Sequence, residues 1–229
     1  MFVAFGTLYY RLDWTPDYFR RFFVSDISAT DELFYDRAGL DRTRVASIVD
    51  ETLQGADDGE LFLEYRQSES LVFDDGRLKS AAFDTAQGFG LRAVANEATG
   101  YSHSSELSEA AMKRAGGTVR AVLAGDGGTF ADAPAGTNQS LYADDNPLGL
   151  VEFEKKVDLL AGINDYARSR DEKVRQVMAS LSGEWQAVQI IRPGGMRVAD
   201  VRPLVRLNVS VVVGQGDRME SGSYGTGGR

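Results

Sequence analysis

Residues 204–213 carry the most restrictive pattern in this chain. Val205, Leu207, Val209, Val211 and Val213 alternate with Arg206, Asn208, Ser210 and Val212. A period of two marks a strand with one apolar face, because successive side chains leave a strand on opposite sides. Such a strand needs other strands for its backbone groups and a second layer for its apolar face. The chain is therefore built around a covered sheet.

Other segments supply the partners. Leu61, Leu63 and Tyr65 alternate with Glu60, Glu64 and Arg66, with Phe62 out of pattern. Leu71-Val72-Phe73, the turn Asp74-Asp75-Gly76 and Leu78 onward predict a hairpin. Strands are also predicted over 88–95, near 100–103, over 185–192 and over 196–201. Turns at 96–100 and at Gly194-Gly195 join them. Helical spacing recurs between these runs. Thr15-Pro16 opens a short helix over 16–24, and Asp41 caps a helix over 42–54 through Val45, Ile48, Val49 and Leu53. Ser105 caps another helix, 106–122, in which Gly116-Gly117 signals a kink or close packing on the sheet. Residues 151–168 and 170–181 read as a helical pair, one with Phe153, Val157, Leu160 and Asn164 inward, the other with Val174, Val177, Met178 and Leu181. The expected fold class is α+β: an amino-terminal, mostly antiparallel sheet with flanking helices, then a helical pair leading into the first strands of a second β-rich domain. The expected boundaries are 1–124 for the first domain, 125–150 for a linker rich in Gly, Ala, Asp, Pro and Asn, and 151–229 for the start of the second.

Charge and composition exclude several functions. A net charge of −9 without a dense Lys/Arg stripe opposes direct nucleic-acid binding and adsorption to anionic lipid. The opening MFVAFGTLYYRLDW lacks the basic region and cleavage site of a secretory signal, and no apolar run is long enough to span a bilayer. With no cysteine, disulfides are excluded and a cytoplasmic location is expected. One histidine, His103, and no cysteine leave no usual zinc ligand set and at most one imidazole base. His103 is expected to be a hydrogen-bonded or half-exposed residue rather than a catalytic base. Gly88-Phe89-Gly90 runs on into a strand, so these are structural glycines and not a dinucleotide fingerprint. The pairs Asp57-Asp58, Asp74-Asp75 and Asp144-Asp145 read as solvated turns. The tail Glu220–Arg229 has two readings. One is a plain loop or disordered end. The other is a loop beside a substrate groove, with Gly225, Gly227, Gly228 and Arg229 as candidate substrate-binding residues.

Three stretches together resemble the TldD/PmbA peptidase family. The first is Glu60-Leu-Phe-Leu-Glu-Tyr-Arg-Gln-Ser-Glu-Ser-Leu with Asp84-Thr-Ala-Gln-Gly-Phe-Gly-Leu-Arg-Ala-Val and Thr99-Gly-Tyr, which contains a G-x-G-x-R strand at Gly88, Gly90 and Arg92. The second is Lys156-Val-Asp-Leu-Leu followed by Ala179-Ser-Leu-Ser-Gly. The third and most specific is Ala199-Asp-Val-Arg-Pro-Leu-Val-Arg-Leu-Asn-Val-Ser-Val with Arg218 to Arg229, closer to the TldD branch than to TldE (PmbA). The resemblance covers about residues 40–229. It implies a zinc metallopeptidase in which an H-E-x-x-x-H helix and a distant cysteine hold the metal and the glutamate serves as general base. None of those residues is present here, so no catalytic or metal-binding residue carries over. The chain by itself is expected to bind no zinc and to be inactive, ending a little before that motif. The resemblance also implies a TldE/PmbA-like partner subunit, unfolded peptide as substrate, and an older association with modulation of DNA gyrase that the acidic charge makes indirect. Two functions are therefore expected: the amino-terminal part of a zinc-dependent peptidase, supplying subunit contacts and substrate chamber, or a stand-alone non-catalytic binding or regulatory module.

Overall fold

A computed structural model describes residues 27–96, 98–123, 131–132 and 143–229. The expected helix at 16–24 and most of the expected linker lie outside the described residues. Among those described, the elements in chain order are α1 (Ile27–Asp31), a π-turn (Glu32–Asp36), α2 (Arg42–Leu53), β1 (Asp58–Asp74), β2 (Arg77–Ala95), β3 (Ala98–Ser104), α3 (Glu109–Val119), α4 (Phe153–Arg170), β4 (Val174–Arg192), β5 (Met196–Gln215) and β6 (Arg218–Gly228). The class is α+β.

The six strands form one antiparallel sheet in the order β3-β2-β1-β4-β5-β6. It consists of two meanders, β1–β3 and β4–β6, joined where β1 pairs with β4 from Leu61↔Ile191 to Asp74↔Met178. Positive-φ turns set the registers. Asp75 (φ 52°) and Gly76 (φ 84°) form the two-residue β1–β2 hairpin, the geometry that matches strand twist. Gly194 (φ 81°) and Gly195 (φ 78°) turn β4 into β5.

The four α-helices of the described residues lie on one face of the sheet. Asp41 caps α2 as expected, its Oδ1 accepting from Arg44 N at 2.8 Å. Val45, Ile48 and Val49 of α2 and Met112 and Val119 of α3 pack on Leu61, Leu63, Phe89 and Leu91 to make the larger core. Leu160 of α4 covers Leu71, Phe73 and Ala179 in a smaller one, with Leu207 and Val209 of β5 packed against it. Gly116 is glycine because a Cβ there would lie 2.6 Å from Thr52 Oγ1. Its close packing is thus against α2, not the sheet. Two polar links pin helices to strands. Gln189, fully buried in β4, donates to Thr30 Oγ1 and Asp31 Oδ1 (both 2.7 Å) and accepts from the Tyr35 hydroxyl at 3.2 Å. Lys156 of α4 donates to Glu69 Oε2 of β1 at 2.5 Å and to Leu148 O at 2.7 Å.

Several expectations are corrected. Of the second helix of the pair, 170–181, residues 174–181 are the first half of β4. They form a ladder with β5, joined from Met178 onward by β1 on the other side, and these bonds outweigh a short ambiguous spacing in which Val177, Ala179 and Leu181 also alternate. The segments 185–192 and 196–201 belong to the long strands β4 and β5. The cap of α3 is Ser108, not Ser105, its Oγ accepting from Ala111 N at 3.1 Å. Phe153 is 43% exposed rather than inward. Finally, the tail is a strand. β6 pairs with β5 from Val205↔Gly228 to Gln215↔Arg218, so the loop readings do not survive.

Candidate functional site on the helix-free face

The opposite face of the sheet carries no helix among the described residues. The alternation of each strand sends Phe62, Glu64, Arg66, Ser68 and Ser70 there from β1, Gly88, Gly90 and Arg92 from β2, and Tyr101 and His103 from β3. From the second meander come Ser180, Ser182, Glu184 and Ile190, then Val198, Arg206, Asn208 and Ser210, then Ser223 and Gly225. Shallow depressions line this face. One of about 530 Å³ lies over Phe62, Tyr101, Ile190, Met196 and Val198, with Glu60 and Arg192 at its rim. One of about 290 Å³ runs over Gly88 and Gly90 between Phe62, Glu64 and Arg66 on one side and Tyr101 and His103 on the other. Two more, of about 260 and 310 Å³, each carry three serines in their walls, with Glu184 in the first and Arg206 and Asn208 in the second. The surface thus grades from apolar at the β4–β5 turn to hydroxyl-rich toward β6. It offers hydrogen-bonding groups at many points along a run of open depressions, which suits an extended chain better than a compact small molecule.

The G-x-G-x-R strand has a packing explanation. A Cβ on Gly88 would lie 2.6 Å from Ser104 O, and one on Gly90 would meet the Tyr101 ring, which lies across it. Arg92 is clamped by its cross-strand neighbour: Nε to Glu60 Oε1 at 2.6 Å, Nη2 to Glu60 Oε2 and to Asp58 Oδ2 at 2.7 Å. Arg192 Nη2 reaches Asp58 Oδ1 at 2.8 Å. The Glu60 hydrogen bonds raise the Arg92 pKa above its ordinary value. Burial alone pushes Asp58 upward, but the Arg92 hydrogen bond, the Gly59 N–H and the Arg192 charge outweigh it, and its carboxyl stays below the usual range.

These carboxylates are not a metal site. Among the described residues no three His, Cys, Asp or Glu side chains converge to hold a metal. The two that do meet, Asp58 and Glu60, are neutralised by two guanidiniums, so the donor set does not fit a cation. His103 is exposed on β3 and lies against Tyr101, ring centroids 5.8 Å apart. Of the paired aspartates, Asp57 accepts from Asn96 N at 2.8 Å in a turn and Asp74 from Gln176 at 2.9 Å. Asp58 enters a half-buried cluster with Glu60, Arg92 and Arg192, which pairwise spacing in the sequence does not reveal.

The four candidate tail residues fall on or beside β6. A Cβ on Gly225 would lie 2.6 Å from Asn208 Oδ1, and one on Gly227 2.5 Å from Val205 O. Both are glycine because β5 presses against them, and Gly225 also lines the 310 Å³ depression. Gly228 has open space. Arg229 is exposed at the strand's end. Beyond β5, β6 presents an outer edge whose residues are all exposed. No described helix is long and apolar enough to cross a membrane.

Comparison with known proteins agrees with this architecture. Residues 59–130 match the model of the PmbA/TldA metallopeptidase domain 1, and residues 146–229 that of the PmbA/TldA metallopeptidase central domain. A Metalloprotease TldD homolog of Haemophilus influenzae is 36% identical over 177 residues, 76% of this chain and 36% of that protein. One from Buchnera aphidicola (of Acyrthosiphon pisum) is 29% identical over 174 residues, with the same shares. The chain therefore spans about a third of the length of the curated relatives it matches. In fold it is similar to a putative modulator of DNA gyrase from Bacteroides thetaiotaomicron (TM-score 0.64, 15% identity, 81% of this chain and 44% of that one). It is also similar to TldE from Thermococcus kodakarensis (TM-score 0.61, 12% identity, 80% and 42%).

Proposed function

Because the chain belongs to the TldD/PmbA metallopeptidase family, we propose that it is the peptide-handling part of a zinc-dependent peptidase acting on unfolded polypeptides in the cytoplasm. Its helix-free sheet face lines the substrate chamber, and a TldE/PmbA-like subunit closes that chamber. The observation that carries this reading is the concentration of depressions, hydroxyls and glycines on one face that no described helix covers. An extended peptide laid along β6 gains main-chain hydrogen bonds irrespective of its sequence, and Gly225, Gly227, Gly228 and Arg229 stand where it would lie. The described residues supply binding and exclusion of bulk water. The metal, held elsewhere in the active assembly, supplies the activated water of hydrolysis.

The test is steady-state cleavage of a fluorogenic unfolded polypeptide by the intact gene product with its partner subunit. Ser210→Trp fills the depression beside Ser223 and Gly225. It is expected to raise KM by about tenfold with kcat little changed, the signature of lost substrate binding. A tryptophan at exposed Arg44, on the helical side, is the control. Cleavage unaffected by Ser210→Trp removes the chamber reading. Peptide binding without any chelator-sensitive cleavage favours the stand-alone binding module instead.

A further inference from the structure

The outer face of α4 and the residues just before it leave several large apolar side chains in solvent. Of the large apolar residues that the fold leaves exposed, Leu150 (69%), Val151 (48%), Phe153 (43%), Leu159 (49%) and Tyr166 (58%) all fall between residues 150 and 166. Leu159 and Tyr166 are seven residues apart, so they stack on one stripe about 10 Å long. Gly162 sits between them with nothing within 4 Å of where its Cβ would be. Mid-helix glycine costs about 1 kcal/mol relative to alanine, and the described residues show no internal contact that requires it. It does leave the stripe low at its centre, where another backbone can come close. Along one flank run Glu154, Asp158 and Asp165, three exposed acids for which no ion pair is found among the described residues. Lys155 and Arg170 stand at the stripe's two ends, Arg170 over the Tyr166 ring at 5.2 Å.

We infer that α4 docks an amphipathic helix of a partner protein, with apolar residues against Leu159 and Tyr166 and a basic flank against Glu154, Asp158 and Asp165. Charge decides the occupant. An antiparallel two-fold pairing of α4 with a second copy sets each acidic flank against its own image, whereas a basic flank neutralises it. The inference is independent of the proposed function, because α4 lies on the opposite side of the sheet from the chamber face.

The experiment uses the intact protein and two fluorescent 18-residue helical peptides, each with leucines at i, i+3, i+4 and i+7. One carries lysines on the flanks and the other glutamates. Fluorescence anisotropy is expected to show the lysine peptide binding at least about tenfold tighter than the glutamate peptide. Leu159→Glu with Tyr166→Glu, both at exposed positions, is expected to weaken the lysine peptide by about tenfold or more, with an unchanged circular dichroism spectrum. Pure charge attraction predicts the reverse, since the variant is more acidic. Equal binding of the two peptides, unchanged or tighter binding by the variant, or sedimentation showing self-association through α4 instead, overturns the inference.

Discussion

Replacing Lys156 with methionine tests how the segment after residue 146 is fastened to the first meander. Lys156 Nζ donates to Glu69 Oε2 at 2.5 Å and to Leu148 O at 2.7 Å, and the two side chains are only 7% and 16% exposed. Methionine keeps the length and apolar stem of lysine but strands the Glu69 carboxylate beneath α4 and leaves the Leu148 carbonyl unpaired. Breaking a buried pair from one side costs roughly 3–5 kcal/mol. The residual exposure of Glu69 lets water soften the loss, so the lower end, about 3 kcal/mol, is expected. For a domain of this size that corresponds to a fall of about 6–12 °C in Tm. Converting the pair together, Lys156→Met with Glu69→Leu, removes both charges and is expected to return to within about 1 kcal/mol of the wild type. Urea denaturation of the four proteins of this cycle measures both numbers. A single-variant loss below about 1 kcal/mol, or a double variant as unstable as the sum of its singles, refutes the claim that this pair is buried and coupled.

Other outcomes follow from the same geometry. Gly88→Ala drives a Cβ into the Ser104 carbonyl and should cost about 1–3 kcal/mol, whereas Gly90→Ala meets only the Tyr101 ring, which can swing away, and should cost less than about 1 kcal/mol; equal losses in urea melts contradict this. Gln189→Leu deprives Thr30 and Tyr35 of their buried partner and should cost about 1–3 kcal/mol, with amide exchange accelerating in residues 27–36 rather than in α4. Asp58 has a depressed folded pKa, so its contribution is complete above the ordinary carboxylate range, near about pH 4, and is lost as pH falls through the lower folded value. Asp58→Asn should therefore flatten the acid limb of the stability curve and leave the pH 6–8 region parallel to the wild type. Tyr35, whose pKa burial raises despite Arg197, contributes stability that is intact below its unfolded value and is lost as pH rises through the folded one; Tyr35→Phe should blunt alkaline unfolding.

Short-range chemistry was readable in the sequence, and long-range pairing was not. Asp41 announces α2, Asp75-Gly76 announces the β1–β2 hairpin and Val205 to Val213 announces a covered strand, because each signal lies within a few residues of its effect. Residues 174–181 were misread because an apolar residue every third or fourth place fits a helix until a strand is available on each side, and β1 is about a hundred residues away. The tail was misread for a related reason. Glycines weaken strand propensity, and the need for them at 225 and 227 appears only when Asn208 and Val205 of β5 are seen against them. The uncovered face was legible in part, since Glu64, Arg66, Asn208 and Ser210 were recognisably outward. That they share one face with Gly90 and Tyr101 depends on strand order, which no local pattern carries. The Asp58–Arg92–Arg192 cluster was hidden likewise, its members lying 34 to 134 residues apart in sequence.

In the proposed function, the sheet face that no described helix covers meets an unfolded polypeptide. Photocrosslinking tests it most directly, with benzoylphenylalanine placed singly at Ser210 and Glu184 on that face and at Arg44 and Arg114 of α2 and α3 on the helical side. Reduced, carboxymethylated α-lactalbumin serves as the polypeptide. Crosslinks from 210 and 184 that excess unlabelled polypeptide suppresses, with none from 44 and 114, are the predicted result. Equal labelling from both sides, or labelling from the helical side alone, contradicts it.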